Sequence, residues 1–286
     1  MSIETVEIVC PSGMSGVIRP LKVSEVDLML NKKALKDPAF EENLLRRCWV
    51  ECTNPGPYDF KDNRVDWRKV LVADMTYVII EIRRASWGDE FEFQMQCPQQ
   101  WCRENFHYEV DLSKLDTLRL DGENLAIFQA GNRFQFTLPQ SGKVVTFKMQ
   151  TGAEKRLLNR PETRRMAREQ IASTMLALRI QDVEGVSQTG LMAYIQNMSV
   201  RDERALEDAL DAVDCGVETK LEVSCPECEH EFDYDLPLYS GPFLIPQKRR
   251  KKKRPMTAET TKGISSAMTN AMTEYGDSDS SVPSSP

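Results

Sequence analysis

"FQMQCPQQWCRENFHYEV", residues 93–110, and "LEVSCPECEHEFDYDL", residues 221–236, are one pattern written twice. Each holds a cysteine pair, Cys97 with Cys102 and Cys225 with Cys228, and Pro98 or Pro226 follows the first cysteine. Phe106 and Tyr108 lie four and six residues after Cys102, as Phe232 and Tyr234 do after Cys228, and Val110 matches Leu236. Upstream, Phe93 and Met95 match Leu221 and Val223, four and two residues before the first cysteine. Apolar residues at period two on both sides of a turn predict a strand, a knuckle and a returning strand, formed twice.

Two such hairpins facing each other would supply four thiolates. Zinc takes four tetrahedral ligands and suits sulfur, so Cys97, Cys102, Cys225 and Cys228 are the proposed ligands of a structural Zn2+, with zinc ahead of iron. The first knuckle has four intervening residues where the second has two, so its loop must be wider. The competing reading is four buried free thiols in two ordinary hairpins; the repeat of the flanks favours metal. The chain's two histidines, His107 and His230, fall in these same segments, and His230 is a reserve ligand. A catalytic zinc needs an open coordination position, which four thiolates do not leave.

At 286 residues and 41% hydrophobic content the chain can bury a large core. Its most apolar window, "VLVADMTYVII", has eleven residues and contains Asp74, too short to span a bilayer. The amino terminus "MSIETVEIVC" lacks a basic region followed by an apolar one, so no secretion signal is expected. A reducing compartment follows, in which the eight cysteines are core residues or ligands before they are disulfides. Of 37 Lys and Arg and 44 Asp and Glu, eight and four fall in residues 248–286, leaving an acidic body with 29 basic and 40 acidic residues. Such a body is a poor partner for duplex DNA, since phosphate binding needs clustered cations.

The remaining periodicities predict an α+β body. A strand over "IETVEIVCPSGMSGVIRPL" breaks at a Pro-Ser-Gly turn, with Cys10 a core position. A helix in "SEVDLMLNKKAL" is expected to be capped by Ser24 with Asp27 three residues on. In "PAFEENLLRRCWVECTN", Leu44, Leu45, Cys48 and Cys52 share one helical face behind Pro38. A further helix runs from about Trp67 to Ala85 and stops at Gly88. "RFQFTLPQSGKVVTFKMQ" reads as a β-hairpin around Ser-Gly, with Phe134, Phe136 and Phe147 in the sheet core. Residues 153–214 read as helical, with Ala167, Ile171, Met175 and Leu178 as one stripe. A last helix there is capped by Ser199 and Asp202, carries Leu206, Leu210 and Val213 inward, and ends at Gly216.

The expected organisation is strand and helices over 1–90, first ribbon half and hairpin over 91–152, a helical segment over 153–216, the second ribbon half over 217–246, and a tail over 247–286. That tail opens with seven consecutive cations, Lys248, Arg249, Arg250, Lys251, Lys252, Lys253 and Arg254. They read equally as a nucleic-acid or localisation patch and as a solvated arm for any acidic partner. The polar stretch behind them is expected to be disordered.

No phosphate loop, dinucleotide fingerprint or nucleophile elbow occurs, so no enzyme activity and no small-molecule substrate are expected. The segment "MSVRDERALEDALDAVDCGVETKLEVSCPECEHEFDYDLPLYSGPFLIP" resembles the baseplate and tail-assembly proteins of contractile-tailed phages of the T-even type. So do "VIRPLKVSEVDLML", "LLRRCWVEC" and "VLVADMTYVIIEIRRASWGDEF" leading to "CP", and the likeness covers about residues 5–246. The resemblance implies a baseplate hub protein or a chaperone of hub assembly, made in the host cytoplasm, with the virion tail baseplate as the further location. Its partners would be other tail proteins, hub or tape-measure protein among them, with no membrane. A zinc-ribbon regulator gripping nucleic acid through the basic run is the alternative.

Overall fold

In the computed structural model, which describes residues 4–238 and 241–245, the Pro-Ser-Gly turn joins β1 (Val6–Val9) to β2 (Ser15–Ile18) as an antiparallel hairpin. Gly13 takes φ +89° at its tip, a left-handed conformation that suits glycine. Cys10, fully buried, closes the turn by donating its N–H to Met14 O at 2.7 Å.

Helix α1 spans Val23–Leu30, so Ser24 lies inside it and is not its cap. Glu25 does that work: its carboxylate accepts the Lys22 N–H at 2.9 Å and pairs with Arg19 at 3.1 Å, which fixes the helix start two residues before the hydroxyl could act. Helix α2 (Phe40–Cys48) buries Leu44, Leu45 and Cys48 as expected, but ends there. Cys52 belongs to β3 (Trp49–Asn54), which pairs with β2 and completes a three-stranded meander. It remains a core residue, reached through strand alternation instead of helical spacing.

Helix α3 (Val72–Trp87) is buried on nearly every side, with Met75, Val78, Ile79, Ile80 and Ile82 in the core, and Gly88 ends it at φ +86°. It starts five residues after the expected Trp67. Backbone groups of residues 68–72 are instead bonded to residues 150–153: Val72 N–H donates to Gln150 O, Gly152 N–H to Val70 O and Ala153 N–H to Arg68 O, each at 2.9 Å. Asp74, on its first turn, is fully buried and accepts hydrogen bonds from the Ser12 N–H, the Ser12 hydroxyl and the Tyr58 hydroxyl. Burial raises its carboxyl above the ordinary aspartate value.

Directly after α3 come β4 (Glu90–Gln96) and β5 (Asn105–Asp111), then the two-residue β6 (Thr117–Leu118) and helix α4 (Gly122–Gln129). The predicted hairpin is β7 (Phe134–Thr137) with β8 (Val144–Phe147); Phe134 and Phe147 are buried and stacked.

Residues 153–214 are less uniform than expected. Helices α5 (Gly152–Leu158), α6 (Pro161–Glu169) and α7 (Ile171–Arg179) are followed by a strand, β9 (Ile180–Val183), that extends the β7–β8 sheet. The stripe from Ala167 to Leu178 does not exist as a buried face. Gln170 breaks the helix at φ −143°, ψ 60°, and rotates α7 so that Thr174 and Leu176 face inward while Ile171 is 69% exposed. After α8 (Leu191–Gln196), α9 (Val200–Val213) is capped as expected, Ser199 Oγ accepting the Asp202 N–H at 3.1 Å, with Leu206 and Leu210 buried. Asp202 in turn accepts the N–H groups of Gln140 and Ser141, docking the β7–β8 turn onto the helix. Gly216 lies past the helix end and opens β10 (Gly216–Val217), paired with β6.

The final hairpin is β11 (Lys220–Ser224) with β12 (Glu231–Asp235), after which Phe243 on α10 (Gly241–Leu244) is buried against Phe91. The described residues form one compact unit of mixed helix and antiparallel sheet. Among the described residues no helix is long and apolar enough to cross a membrane.

Candidate metal centre

The two sequence repeats fold as the same object. In β4–β5 the register pairs Met95 with Phe106 and Phe93 with Tyr108; in β11–β12 it pairs Val223 with Phe232 and Leu221 with Tyr234. The likeness extends into the backbone of the knuckles. Cys97 N–H donates to Glu104 O at 2.9 Å and Cys225 N–H to His230 O at 3.0 Å, in each case the carbonyl two residues past the second cysteine. The residue just after that cysteine is left-handed in both, Arg103 at φ 48° and Glu229 at φ 57°. The two surplus residues of the first knuckle are therefore absorbed before Cys102, where Cys102 and Arg103 both donate to Gln99 O, and the closing geometry is unchanged.

The hairpins face each other across Phe93, which stacks on Tyr234 with ring centroids 5.6 Å apart, and Met95 and Val223, one from each hairpin, are buried. This contact sets the knuckles tip to tip. Cys97 Sγ lies 3.7 Å from Cys228 Sγ and Cys102 Sγ 3.9 Å from Cys225 Sγ, and all four sulfurs fall within 4.8 Å of one another. A tetrahedral ion with metal–sulfur bonds of about 2.3 Å puts its sulfurs about 3.8 Å apart. The observed spacing is that of a four-sulfur coordination shell, and the four cysteines could hold a metal ion. Cys97 and Cys225 are buried, Cys102 and Cys228 half-buried.

The four sulfurs do not share one electrostatic setting. Burial raises the thiols of Cys97 and Cys228 above their ordinary value. Burial also acts on Cys225, but the amide N–H groups of Cys228 and Glu227 outweigh it and bring that thiol down to about 7. Four thiolates this close repel one another unless a cation lies among them.

His230 does not join the four sulfurs. Its ring nitrogens lie 3.1 and 3.2 Å from Gln99 Nε2, so it bridges the two knuckles from the side. Neither that clasp nor the Phe93–Tyr234 stack was visible in the sequence, because Gln99 falls in the widened loop, where the two repeats lose alignment. His107 lies on the outer face of β5 beside Glu92, at 3.1 Å. Cys10, Cys48, Cys52 and Cys215 stand apart from the cluster. Lys248 to Arg254 and the tail behind them lie outside the described residues.

A family profile described as "T4 bacteriophage base plate protein" matches residues 2–239. The chain belongs to that family. No curated protein and no solved structure matches it. The match runs through both knuckles of this base plate protein, so the cysteine cluster lies within the matched residues. Membership implies a structural component of the phage tail that meets other baseplate proteins.

Proposed function

We propose that this chain is a non-enzymatic baseplate hub protein, or a chaperone of hub assembly, that acts through protein–protein contacts on a body fastened by one structural Zn2+. The observation that carries the reading is the four-sulfur cluster, drawn from cysteines as much as 131 residues apart, within a chain matched to the base plate family over residues 2–239. Cys97, Cys102, Cys225 and Cys228 are the ligands. Zinc is favoured because a tetrahedral all-thiolate shell suits it and needs no redox partner. With four protein ligands there is no position for a reactive water, so the ion holds shape and does not catalyse.

The hub or tape-measure protein is the expected partner, met in the host cytoplasm while the tail is built. Mass spectrometry of purified virions, together with affinity capture from infected cells treated with nuclease, tests this. Capture of tail proteins regardless of nuclease supports the reading, and stoichiometric presence in virions selects the hub subunit over the chaperone. Capture that depends on nucleic acid contradicts it and favours the zinc-ribbon regulator.

A further inference from the structure

The widened first knuckle carries Trp101 at its tip, 75% exposed. Its root is fixed: Cys102 and Arg103 donate to Gln99 O at 3.1 and 3.0 Å, and Gln99 is held against His230. A large aromatic presented on a loop that has little ordering left to lose is the kind of residue that anchors an interface. The exposed charges of the two knuckles and their closing turns are mainly acidic, Glu104, Glu227, Glu229 and Glu231 against Arg103.

Elsewhere on the same body is a groove of about 450 Å³ whose apolar lining includes Leu35, Phe40, Leu44, Ile79, Leu158 and Leu244. Arg164 stands at its rim, together with Lys155 in its 2.6 Å ion pair with Glu41. Helix α6, which supplies Arg164 to that lining, has no buried residue of its own, and the charges on it and at its start are mainly basic: Arg160, Arg164, Arg165 and Arg168 against Glu162 and Glu169. Trp101 does not fill the groove of its own chain, since it is exposed.

We propose that the groove receives Trp101 from a second copy of this chain, with the acidic knuckle of one copy set against the arginines of α6 on the next. Both complementary halves, an aromatic knob with an acidic collar and an apolar socket with a basic rim, are present on one polypeptide. They are different surfaces, so the contact is head to tail and builds a ring when its rotation closes. The inference rests on the metal-fastened knuckle of the proposed function, because that fastening is what makes the knob rigid.

Sedimentation of the full-length, metal-loaded chain over the micromolar range, at low and high salt, tests it. Wild type should self-associate and weaken with salt. Trp101→Ala, which removes the knob, and the double variant Arg160→Glu/Arg164→Glu, which removes the socket's charge, should each weaken association at least about tenfold. Mixed together, these two variants should form a dimer that grows no further, through the one intact knob and socket. A chain that stays monomeric, or a Trp101→Ala chain that associates like wild type, overturns the proposal. So does a monomer that captures a different protein through Trp101. Metal content is measured on the same samples: full metal without association overturns the docking alone, and absent metal overturns the reading beneath it.

Discussion

Cys97 Sγ lies 3.7 Å from Cys228 Sγ although 131 residues separate them. Bringing such distant points together costs loop-closure entropy, which grows slowly with length, and the contact must offset that cost. Stacking of Phe93 on Tyr234 aligns the hairpins, but thiols in van der Waals contact add little. An ion bound by four thiolates adds about 10–16 kcal/mol on the scale of zinc-finger peptides. A metal held there would thus fasten the early and late parts of the chain.

Replacing one sulfur should therefore be felt throughout the body. Cys228→Ser is expected to abolish stoichiometric metal and to destabilise by about 5 kcal/mol or more, a fall in Tm of about 10 °C or more for a body of this size. Cys215→Ser, outside the cluster, should keep the metal and shift Tm far less. Calorimetry and elemental analysis of both variants check the contrast.

Asp74 is the second point where distant segments are tied. It accepts hydrogen bonds from Ser12 and Tyr58 while fully buried. Asp74→Ala strands those donors and should cost about 3–5 kcal/mol, while leaving metal content unchanged. Chemical denaturation with metal analysis on the same sample separates this effect from loss of the cluster.

Acid should act on Asp202 in a definite direction. Burial opposes its charge, yet the amides of Gln140 and Ser141 and the Ser199 hydroxyl hold its carboxyl below the ordinary value. A carboxyl lowered on folding contributes stability that is complete above its unfolded value, about 3.9, and is lost as pH falls through the lower folded value. The stability gap between wild type and Asp202→Asn should be constant above about pH 5 and shrink below about pH 4. Denaturant midpoints across that range measure it, and a gap that widens in acid would contradict the assignment.

Gly152 has no room for a side chain. A Cβ built there meets the Trp67 carbonyl oxygen, a backbone atom that cannot swing away. Gly152→Ala should raise helix propensity at α5 yet destabilise by about 1–3 kcal/mol through overpacking. A thermal melt decides the sign.

The ribbon hairpins were legible because period two and the cysteines mark the same register from both sides. Phe93 with Tyr108, and Leu221 with Tyr234, pair where the alternation put them. The Ser199 cap and the β7–β8 hairpin were legible for a similar reason, since their signals lie within a few residues of one another. What failed was decided by distant partners. Residues 68–72 leave the helical pattern because residues 150–153 take their backbone groups, and Ser24 loses its capping role to a carboxylate fixed by Arg19. β9 forms because the β8 edge is open to it, which no local pattern in "RIQDV" announces. Of the cysteine cluster, the four sulfurs that the structure brings together were readable, whereas the Gln99–His230 clasp was not, because the surplus loop has no counterpart in the second knuckle.

X-ray absorption at the zinc edge, on cleanly purified full-length protein with metal content counted alongside, tests the central claim most directly. The account predicts one zinc per chain with four sulfur neighbours at about 2.3 Å. Protein that is folded with no bound transition metal, or a shell containing nitrogen or oxygen in place of sulfur, would contradict it.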